Sequence, residues 1–366
     1  MIEKTNIIGL MSGSSLDGID LVDVDFWHDG KWHFEIVAKD NYDYDDDWKR
    51  KLSDAFYYDK NQLKVIDYQY GQLLGQVTRQ FIDKYNLKPE FVASHGHTIF
   101  HKPQEHYTLQ IGDGQALADA CGVMVINDFR TEDMLKGGQG APLVPIGDKL
   151  LFADYPICLN IGGIANVSYD VDGQRIAYDI CIANQALNYL ASRVKTRHGT
   201  SLQYDLDGLI ARSGTIDNQL LTALNSHPFY SQKYPKSLGR EFFEENIKPL
   251  LENRDDIANM MATFVEHIAI QIGNSTNDTI VKTMCASSLP LLVTGGGAKN
   301  KYLVERIQAH TKHQVFVPAD DIIDYKEALV FAFLGLLRSR NEINVLRSVT
   351  GAESDSSSGK IFHPSF

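Results

Sequence analysis

Cysteine is scarce in this sequence, and no two cysteines form a metal-binding pair. The four residues, in a chain of 366, are far apart, each lies in an apolar context, and none belongs to a CxxC motif. A structural metal site is therefore not predicted. We expect reduced thiols in the core of a cytoplasmic protein. These cysteines are Cys121, Cys158, Cys181 and Cys285.

Basic charge and long apolar runs are also scarce. Lys and Arg total 35 against 47 Asp and Glu, and the formal net charge of −12 argues against a general surface for nucleic acid or anionic membranes. The longest apolar run, Ala328 to Leu337, is too short to cross a bilayer, and the N-terminal run is too short for a signal peptide. We therefore expect a cytoplasmic protein without nucleic-acid or membrane partners.

The length and an internal echo predict two domains. A chain of 366 residues exceeds the size at which one core usually keeps growing, and 43% hydrophobic residues supply ample core. Residues 6–26 and 157–169 both consist of an apolar strand, a small-residue turn and a second strand. Two such hairpins, one near the start of each half, predict a duplicated architecture in which a phosphate-binding turn from each half faces a common cleft.

The turn of the first hairpin suits a phosphate that arrives with Mg²⁺. Gly13 and Gly18 allow backbone N–H groups to face a ligand, and the serines between them add hydroxyl donors. Asp17 and Asp20 would repel a bare phosphate, but they would bind the hard Mg²⁺ cation through oxygen. Taken alone, an ordinary hairpin turn with a solvated acidic rim explains the stretch equally well.

A third glycine-rich turn lies in residues 291–300. An apolar strand leads into Gly295, Gly296 and Gly297, and a helical run begins at Lys301. The stretch matches neither GxxxxGK[ST] nor GxGxxG, so neither a P-loop nor a Rossmann site is predicted. Three glycines before a helix would still let the base and ribose of a nucleotide lie against the backbone.

Polar side chains follow two other strands and are candidates for sugar contacts. His95, His97 and His101 share one loop, where no adjacent carboxylate or thiolate supports a metal site. Contacts to a polar sugar are favoured, and hydrogen bonding to backbone groups remains an alternative for each histidine. Asp128 and Arg130 either bind a polar ligand or pair with each other.

Three further features each admit two interpretations. Residues 137–140 carry three glycines, which indicate with equal weight a close approach to a ligand or a domain hinge. Asp179 stands where an apolar strand passes into a helix, and taken alone it is better interpreted as an N-cap. The basic patch at 228–243, with Lys236 and Arg240, would meet either a phosphate, an acidic substrate group or a neighbouring loop.

The three glycine turns, in this order, resemble the phosphate, second phosphate and adenosine motifs of the sugar kinase, actin and heat-shock chaperone superfamily. More narrowly, the chain resembles the anhydro-N-acetylmuramic acid kinase family from end to end. The matching stretches are GLMSGSSLDGID, SHGHTIFH, LQIGDGQALAD, NDFRTEDMLKGGQGAPLVP, LNIGGIANVSY, PKSLGREFF, VTGGGAKNKYL, KEALVFAFLG and VTGAES.

This resemblance implies an α/β protein with the two-domain actin-like ATPase (ribonuclease H-like) fold, in which mixed sheets are flanked by helices and the active site lies in the interdomain cleft. The expected domains are residues 1–128 and 129–366, the second carrying the adenosine motif, with the C-terminal tail able to pack back on the first. The resemblance also implies ATP and Mg²⁺ as cofactors. The implied reaction opens the 1,6-anhydro ring of 1,6-anhydro-N-acetylmuramic acid by hydrolysis and phosphorylates O6, giving N-acetylmuramic acid 6-phosphate in peptidoglycan recycling.

The resemblance also assigns roles to individual residues. Asp179 would be the base that takes a proton from the attacking water, and Asp17 and Asp20 would hold the metal ion. ATP and phosphate contacts would come from Gly13, Ser14, Ser15, Leu16, Asp17, Gly18, Ile19, Asp20, Gly162, Gly163, Gly295, Gly296 and Gly297. Substrate contacts would come from His97, Thr98, Asp128, Arg130 and Glu327.

Two departures from the family pattern leave the sugar specificity open. The family commonly has DTGPGN at the catalytic Asp, whereas residues 179–184 here are DICIAN, which predicts a different backbone. His97 also stands where Gln is expected. Two alternatives therefore remain: a kinase of the same fold acting on another sugar or amino sugar, and a non-enzymatic actin-like nucleotide switch. The oligomeric state is open, with a homodimer among the alternatives.

Overall fold

The computed structural model describes residues 3–13, 16–102, 105, 107–194, 202–252, 254–284 and 288–365. Ser14 and Ser15, which are predicted phosphate contacts, lie outside these described residues, as does Cys285. The other three cysteines are buried free thiols, as the sequence predicts. No helix in the described ranges is both long enough and apolar enough to cross a membrane.

The described residues form an α/β structure with thirteen strands. The strands are β1 (Thr5–Met11), β2 (Gly18–His28), β3 (Trp32–Asp43), β4 (Phe91–Ser94), β5 (His97–Lys102), β6 (Tyr107–Ile111), β7 (Val125–Asn127), β8 (Ile157–Ile161), β9 (Ile164–Val171), β10 (Gln174–Ile182), β11 (Pro290–Thr294), β12 (Gln314–Phe316) and β13 (Lys360–Phe362).

Fourteen α-helical segments accompany these strands in the described ranges. They are α1 (Asp46–Asp54), α2 (Lys60–Tyr85), α3 (Gly114–Cys121), α4 (Thr131–Leu135), α5 (Pro145–Leu150), α6 (Asn184–Ser192), α7 (Leu209–Ser213), α8 (Asn218–Asn225), α9 (Arg240–Phe242), α10 (Lys248–Leu251), α11 (Ile257–Met284), α12 (Lys301–His310), α13 (Asp320–Ser339) and α14 (Arg347–Thr350).

The first sheet has the strand order β13-β7-β4-β1-β2-β3. The hairpin β1–β2 and the pair β2–β3 are antiparallel, whereas β1, β4 and β7 run parallel. Apolar residues of one face pack with α2 and α3. The other face is covered by α13, which approaches so closely that a Cβ on Gly9 would lie 2.1 Å from the carbonyl oxygen of Ala328.

The second sheet repeats this topology, which confirms the predicted duplication. Its order is β10-β9-β8-β11-β12. The pairs β8–β9 and β9–β10 are antiparallel, whereas β8, β11 and β12 run parallel. The strands β1, β2, β3, β4 and β7 therefore correspond in order and direction to β8, β9, β10, β11 and β12. Helices α6, α11 and α12 contribute to the core beside this sheet.

The chain divides into two compact units, one of Met1–Leu151 with Tyr325–Phe366 and the other of Phe152–Asp324. The expected boundary between 128 and 129 coincides with neither point at which the chain passes between these units. Residues 129–151 remain with the first unit, and the C-terminal segment returns to it, because β13 pairs with β7 of the first sheet and α13 packs on its face. The domain boundary of the sequence analysis remains a prediction.

The sequence pattern predicts an apolar helix that opens at Lys326 and a mobile Ser-rich tail after Ser354, and both predictions are wrong. The helix α13 begins earlier, at Asp320, and the acidic residues of its first turn suit the positive end of the helix dipole. The Ser-rich tail is held by the buried Asn344. The amide of Asn344 donates to the carbonyl oxygen of Ser358 at 2.8 Å and accepts from the backbone N–H of Ser358 at 2.7 Å.

Candidate active site

Most of the predicted residues of the first unit lie at one edge of the first sheet. Strands β1, β4 and β7 are parallel, so their carboxyl ends meet at the same edge. The first glycine turn follows β1, His97 comes shortly after β4, and Arg130 follows β7. In open α/β sheets this edge is where ligands usually bind.

The turn that connects β1 and β2 is partly fixed by the protein itself. Leu16 has a φ of +60°, and its N–H donates to the carbonyl oxygen of Gly13 at 3.4 Å. A Cβ at Gly18 would lie 2.5 Å from the carbonyl oxygen of Tyr42, so Gly18 is required by the close approach of β3. Asp17 is exposed.

Asp20 is half-buried, and the side-chain amide of Asn41 donates to its carboxylate at 2.8 Å. Ile19, at the start of β2, is fully buried in the core. Asp17 is therefore free to contact solvent, whereas Asp20 is oriented by a hydrogen bond and Ile19 packs in the core.

His97 is buried and connected to three hydroxyl groups. Its Nδ1 lies 3.0 Å from the Oγ of Ser12, which lies 2.7 Å from the hydroxyl of Tyr44, and Tyr44 is hydrogen-bonded to Tyr70. Burial lowers the pKa of His97 to about 4, so the imidazole is neutral near pH 7. The neighbouring Thr98 accepts a hydrogen bond from the amide of Gln110 at 3.2 Å.

Arg130 is held by groups of its own unit. Its Nη1 donates to the carbonyl oxygen of Gly140 at 2.6 Å, and its Nε and Nη2 lie 3.2 and 2.9 Å from the Nε2 of His95. Burial lowers the pKa of Arg130 to about 10, an effect that the nearby Glu327 opposes. His95 thus has a structural role, which is the backbone alternative left open for each histidine, since its Nδ1 also pairs with the carbonyl oxygen of Gly96 at 2.9 Å.

Glu327 lies within α13, about two turns after its start, and is accessible to solvent. The protein packed around it raises the pKa of its carboxyl, Arg130 and Lys326 counteract that effect, and the charge of Asp20 adds to it. Glu327, Asp20 and Arg130 therefore share one electrostatic environment. An accessible carboxyl with a raised pKa is suited to a polar ligand.

Among the described residues, Asp128 pairs with Lys360 and Thr131 and does not form an ion pair with Arg130. Its carboxylate forms an ion pair with Lys360 at 2.7 Å and accepts from the backbone N–H of Thr131 at 3.3 Å. Its φ is +58°, a conformation that Asp adopts more readily than most residues. The contacts of Asp128 therefore anchor β13 and the start of α4.

The glycines at 137–140 wrap around a buried carboxylate. Asp133 accepts from the N–H of Gly140 at 2.8 Å and from the hydroxyl of Thr350 at 2.7 Å. A Cβ at Gly138 would lie 2.2 Å from the carboxylate of Asp133, and Gly140 has a φ of +68°. The close approach that these glycines permit is thus to the protein's own Asp133.

The two glycine turns of the second unit meet at the carboxyl ends of β8 and β11. Gly295 has a φ of +79°, and a Cβ there would lie 2.7 Å from the side-chain oxygen of Asn160; a Cβ at Gly297 would lie 2.3 Å from Ile161. These two glycines are needed for packing between the turns.

Gly162, Gly163 and Gly296 differ from these neighbours. None has a φ in the left-handed region, and a Cβ at each would meet its nearest atom only at 3.6 to 3.7 Å, which is ordinary contact. The protein's own atoms therefore leave room for a side chain at all three positions. Bare backbone at such places is what a ligand lying directly against the chain requires.

Asp179 lies on β10, half-buried, and is held by residues of the basic patch at 228–243. The N–H of Leu238 donates to its Oδ2 at 2.8 Å, and its own N–H donates to the carbonyl oxygen of Lys236 at 3.1 Å. Burial raises the pKa of Asp179, and the Leu238 hydrogen bond and the Lys236 charge partly offset that rise. The N-cap interpretation is wrong, because the N-cap residue of α6 is Ala183.

The DICIAN segment supports the Gly162–Gly163 turn. The strand pairing shifts register between Asp179 and Cys181, and the N–H of Ala183 then donates to the carbonyl oxygen of Gly163 at 2.8 Å. Asn184 donates from its backbone to Gly162 at 3.1 Å and from its side chain to Ile161 at 3.2 Å. The retained Asp and Asn thus flank a segment that buttresses the second turn.

Sequence reasoning did not single out several residues that organise these groups. Tyr44 lies just after β3 and Tyr70 lies within α2, and the residues to which they are hydrogen-bonded are distant in sequence. Lys236 was noticed for its charge, but nothing in the sequence indicates its proximity to Asp179. A buried hydroxyl carries no periodic signal, so these contacts emerge only from the tertiary structure.

Comparisons with known proteins identify the family. The profile described as "Anhydro-N-acetylmuramic acid kinase" matches residues 5–364. A protein of that name from Mannheimia succiniciproducens is 35% identical, covering 98% of this chain and 99% of its own. Another of that name, from Aliivibrio fischeri, is 34% identical, covering 97% and 98%.

Among solved structures, gluconate kinase from Lactobacillus acidophilus is similar over 99% of this chain and 94% of its own, with 11% identity and a TM-score of 0.45. The two sheets of equivalent topology, flanked by helices, are those of the actin-like ATPase fold that the family resemblance implies. The chain belongs to the anhydro-N-acetylmuramic acid kinase family and is a phosphotransferase.

Proposed function

We propose that this protein uses ATP to convert 1,6-anhydro-N-acetylmuramic acid and water into N-acetylmuramic acid 6-phosphate and ADP, as a cytoplasmic enzyme of peptidoglycan recycling. The observation that carries the proposal is the family match over nearly the whole chain, combined with a half-buried Asp179 whose pKa is raised and whose orientation is fixed. Such a carboxylate is suited to general base catalysis.

Asp179 acts in this proposal as the base. Its carboxylate takes a proton from water, the oxygen of that water forms the new bond to C1 of the sugar, and the C1–O6 bond breaks. O6 becomes the acceptor of the γ-phosphoryl group, so the charge that develops on O6 is captured without a separate general acid. The Leu238 N–H occupies Oδ2 at 2.8 Å, which leaves Oδ1 for the water.

The glycine turns fit a nucleotide. Gly162, Gly163 and Gly296 leave backbone bare where the protein itself has room for side chains, which supports contacts to phosphates and adenosine. Gly295 and Gly297 pack the two turns together. In the first unit, Gly13 to Asp20 would meet the phosphates, as expected from the sequence.

Asp17 and Asp20 are the residues that would hold Mg²⁺, which when bound would neutralise charge on the phosphates. Among the described residues, no group of three or more His, Cys, Asp or Glu side chains is arranged to hold a metal ion. That fits Mg²⁺, which usually binds one or two carboxylates together with phosphates and water rather than a full protein cage.

His97, Thr98, Arg130 and Glu327 are proposed to meet the sugar. Glu327 is accessible and shares its electrostatic environment with Arg130, and the remaining N–H groups of that guanidinium suit an acidic or hydroxyl-rich ligand. Asp128 is proposed to act indirectly, because its carboxylate is occupied by Lys360 and Thr131.

A sugar panel separates this proposal from its alternatives. ADP release would be followed with the anhydro sugar, N-acetylmuramic acid, N-acetylglucosamine, glucose and no sugar. We expect release that depends on the anhydro sugar. Equal or greater release with another sugar would favour a different kinase, and slow release independent of any sugar would favour a nucleotide switch.

The glycine assignment predicts a divided set of variants. Gly162→Ala and Gly296→Ala should leave the melting temperature unchanged and raise the Kd for ATP at least tenfold, because the new methyl occupies space used by the nucleotide. Gly297→Ala should instead lower the melting temperature, because its methyl overlaps Ile161. Unchanged ATP affinity in both Gly162→Ala and Gly296→Ala would contradict the assignment.

A further inference from the structure

Asp179 is held by backbone groups of one segment of the second unit. Its N–H donates to the carbonyl oxygen of Lys236 at 3.1 Å, and its Oδ2 accepts from the N–H of Leu238 at 2.8 Å. The five residues before Lys236, residues 231–235, are all exposed. The orientation of Asp179 therefore depends on how the start of this segment is attached to the core.

The start of the segment is attached to α11 by a buried histidine. His267, on α11, is fully buried, and its Nε2 lies 3.2 Å from the hydroxyl of Tyr230. Its Nδ1 lies 2.7 Å from the Oδ1 of Asn225, which also accepts from the side-chain amide of Gln271 at 2.7 Å. Burial lowers the pKa of His267 to about 3, so the ring is neutral near pH 7. The hydroxyl of Tyr230 can donate to Nε2 or accept from it, so this bond forms with either tautomer.

Tyr230 also lies beside the groups that act on the base. The thiol of Cys181, fully buried on β10, interacts electrostatically with Tyr230, Lys236 and Asp179. The carbonyl oxygen of Phe229, in the peptide bond to Tyr230, accepts from the ammonium of Lys236 at 3.3 Å. Burial raises the pKa of the Cys181 thiol, which keeps it neutral near pH 7. Lys236 therefore supplies the charge that faces Asp179 from this segment.

We propose that His267 and Tyr230 are positioning residues for Asp179. Their hydrogen bond fixes the segment that supplies the Leu238 N–H to the carboxylate and keeps the Lys236 ammonium beside it. Both residues act through the intervening backbone. The role of Asp179 as a base rests on the proposed function, whereas its attachment to this segment does not.

Tyr230→Phe tests this role with the least change in packing. The variant keeps the ring, removes the hydroxyl and frees the start of the segment, so the Leu238 N–H and the Lys236 cation stabilise the ionised carboxylate less. The pKa of Asp179 should therefore rise by about half a pH unit or more. A base is active when it is ionised, so the acid limb of the kcat/KM profile should move to higher pH by the same amount.

Tyr234→Phe is the matched control on the same segment. The Tyr234 ring stacks on Tyr178, with the ring centroids 6.0 Å apart, and its hydroxyl makes no hydrogen bond to a described residue. Losing that hydroxyl should leave the pKa of Asp179 unchanged. The double variant Tyr230→Phe/His267→Leu removes both partners of the bond and leaves neither unpaired. It should show the same rise as Tyr230→Phe, and it carries the comparison if the single variant does not fold.

The carboxyl of Asp179 is followed by ¹³C NMR in the full-length protein with labelled aspartate, and its signal is identified by its loss in Asp179→Asn. The pH profile of sugar-dependent ADP release is measured on the same variants, with the KM for ATP as a reference that should not change. An unchanged pKa in Tyr230→Phe and in the double variant, or an equal rise in Tyr234→Phe, would overturn the positioning role. A native protein without sugar turnover would contradict the proposed function, and the NMR titration would still decide the positioning role.

Discussion

The charge on Asp179 is set by its immediate neighbours. Burial raises its pKa, whereas the N–H of Leu238 and the cation of Lys236 favour the ionised form. Lys236 itself donates to the carbonyl oxygen of Phe229 at 3.3 Å and lies 4.6 Å from the centre of its ring. Lys236 is therefore held near the proposed base without being paired to it directly.

Lys236→Met should move the acid limb of the kcat/KM pH profile to higher pH. A base works in its ionised form, so activity is present above its pKa and is lost as the pH falls through it. Removing the cation raises the pKa of Asp179 further, which shifts that loss upward. Lys236→Arg keeps the charge and serves as the control. An acid limb at the same pH in Lys236→Met would show that Lys236 does not act on the base.

A second carboxyl, Asp23, affects stability rather than chemistry. It is 1% exposed on β2, its Oδ1 has no partner among the described residues, and burial raises its pKa to about 6, although the amide of Asn6 donates to Oδ2 at 3.0 Å. The folded state thus binds this proton more tightly than the unfolded state does. This stabilising contribution is present below the unfolded pKa of 3.8 and is lost as the pH rises through about 6.

Asp23→Asn should therefore raise the free energy of unfolding at pH 8 by about 1 to 3 kcal/mol, with a smaller gain at pH 4. Chemical denaturation at the two pH values measures both quantities. Asp43→Asn, at the exposed end of β3, changes a solvent-exposed carboxylate and should give no such gain. A pH-independent effect of Asp23→Asn would contradict the assigned pKa.

At the scale of elements, the periodic spacing of apolar residues predicts the helices, whereas it does not predict tertiary contacts. Apolar spacing predicts helices over 62–85 and 301–310, and the structure has them at Lys60–Tyr85 and Lys301–His310. The Asp59 capping box accounts for the earlier start of α2. The Ser-rich tail lacks any such pattern. Its order comes from Asn344, ten residues or more away, whose amide no local rule associates with it.

The site follows the same division. The three glycine turns could be located from their sequence, because a glycine cluster after an apolar strand is a local signal. Which glycines are required by the packing of the protein itself could not be predicted, because the close neighbours Tyr42, Asp133 and Ile161 come from elsewhere in the chain. The alternatives left open for the 137–140 glycines illustrate this limit.

Thr350→Val tests how α14 holds the loop at 137–140. The variant removes the hydroxyl that donates to Asp133 at 2.7 Å and leaves a buried carboxylate oxygen unpaired. We expect a loss of about 1 to 3 kcal/mol in the free energy of unfolding. Thr350→Ser keeps the hydroxyl and should lose much less. Equal stability of Thr350→Val and the native protein in urea unfolding would show that this contact is not an anchor.

At the scale of the whole molecule, the repeated topology explains why two hairpins of similar sequence pattern occur in one chain. In each unit the first strand of this hairpin runs parallel to a neighbouring strand, and the hairpin turn lies at the carboxyl edge of the sheet. The sequence predicts this duplication because the strand, small-residue turn and strand pattern occurs at residues 6–26 and again at 157–169. The composition of each unit, however, depends on β13 and α13 joining the first sheet, which the order of the chain does not reveal.

In the proposed mechanism, Asp179 activates water for attack on C1 while O6 receives the phosphoryl group. The direct measurement is product mass after a short reaction with ATP and the anhydro sugar in ¹⁸O water, for the native protein and Asp179→Asn. Unlabelled product incubated in the same water without enzyme corrects for exchange at C1.

The account predicts one solvent ¹⁸O at C1, an unlabelled phosphate ester oxygen at O6, and a loss of 10²-fold or more in rate for Asp179→Asn. A phosphorylated product whose C1 oxygen is unlabelled beyond the exchange control, or an Asp179→Asn variant with native activity, would contradict it.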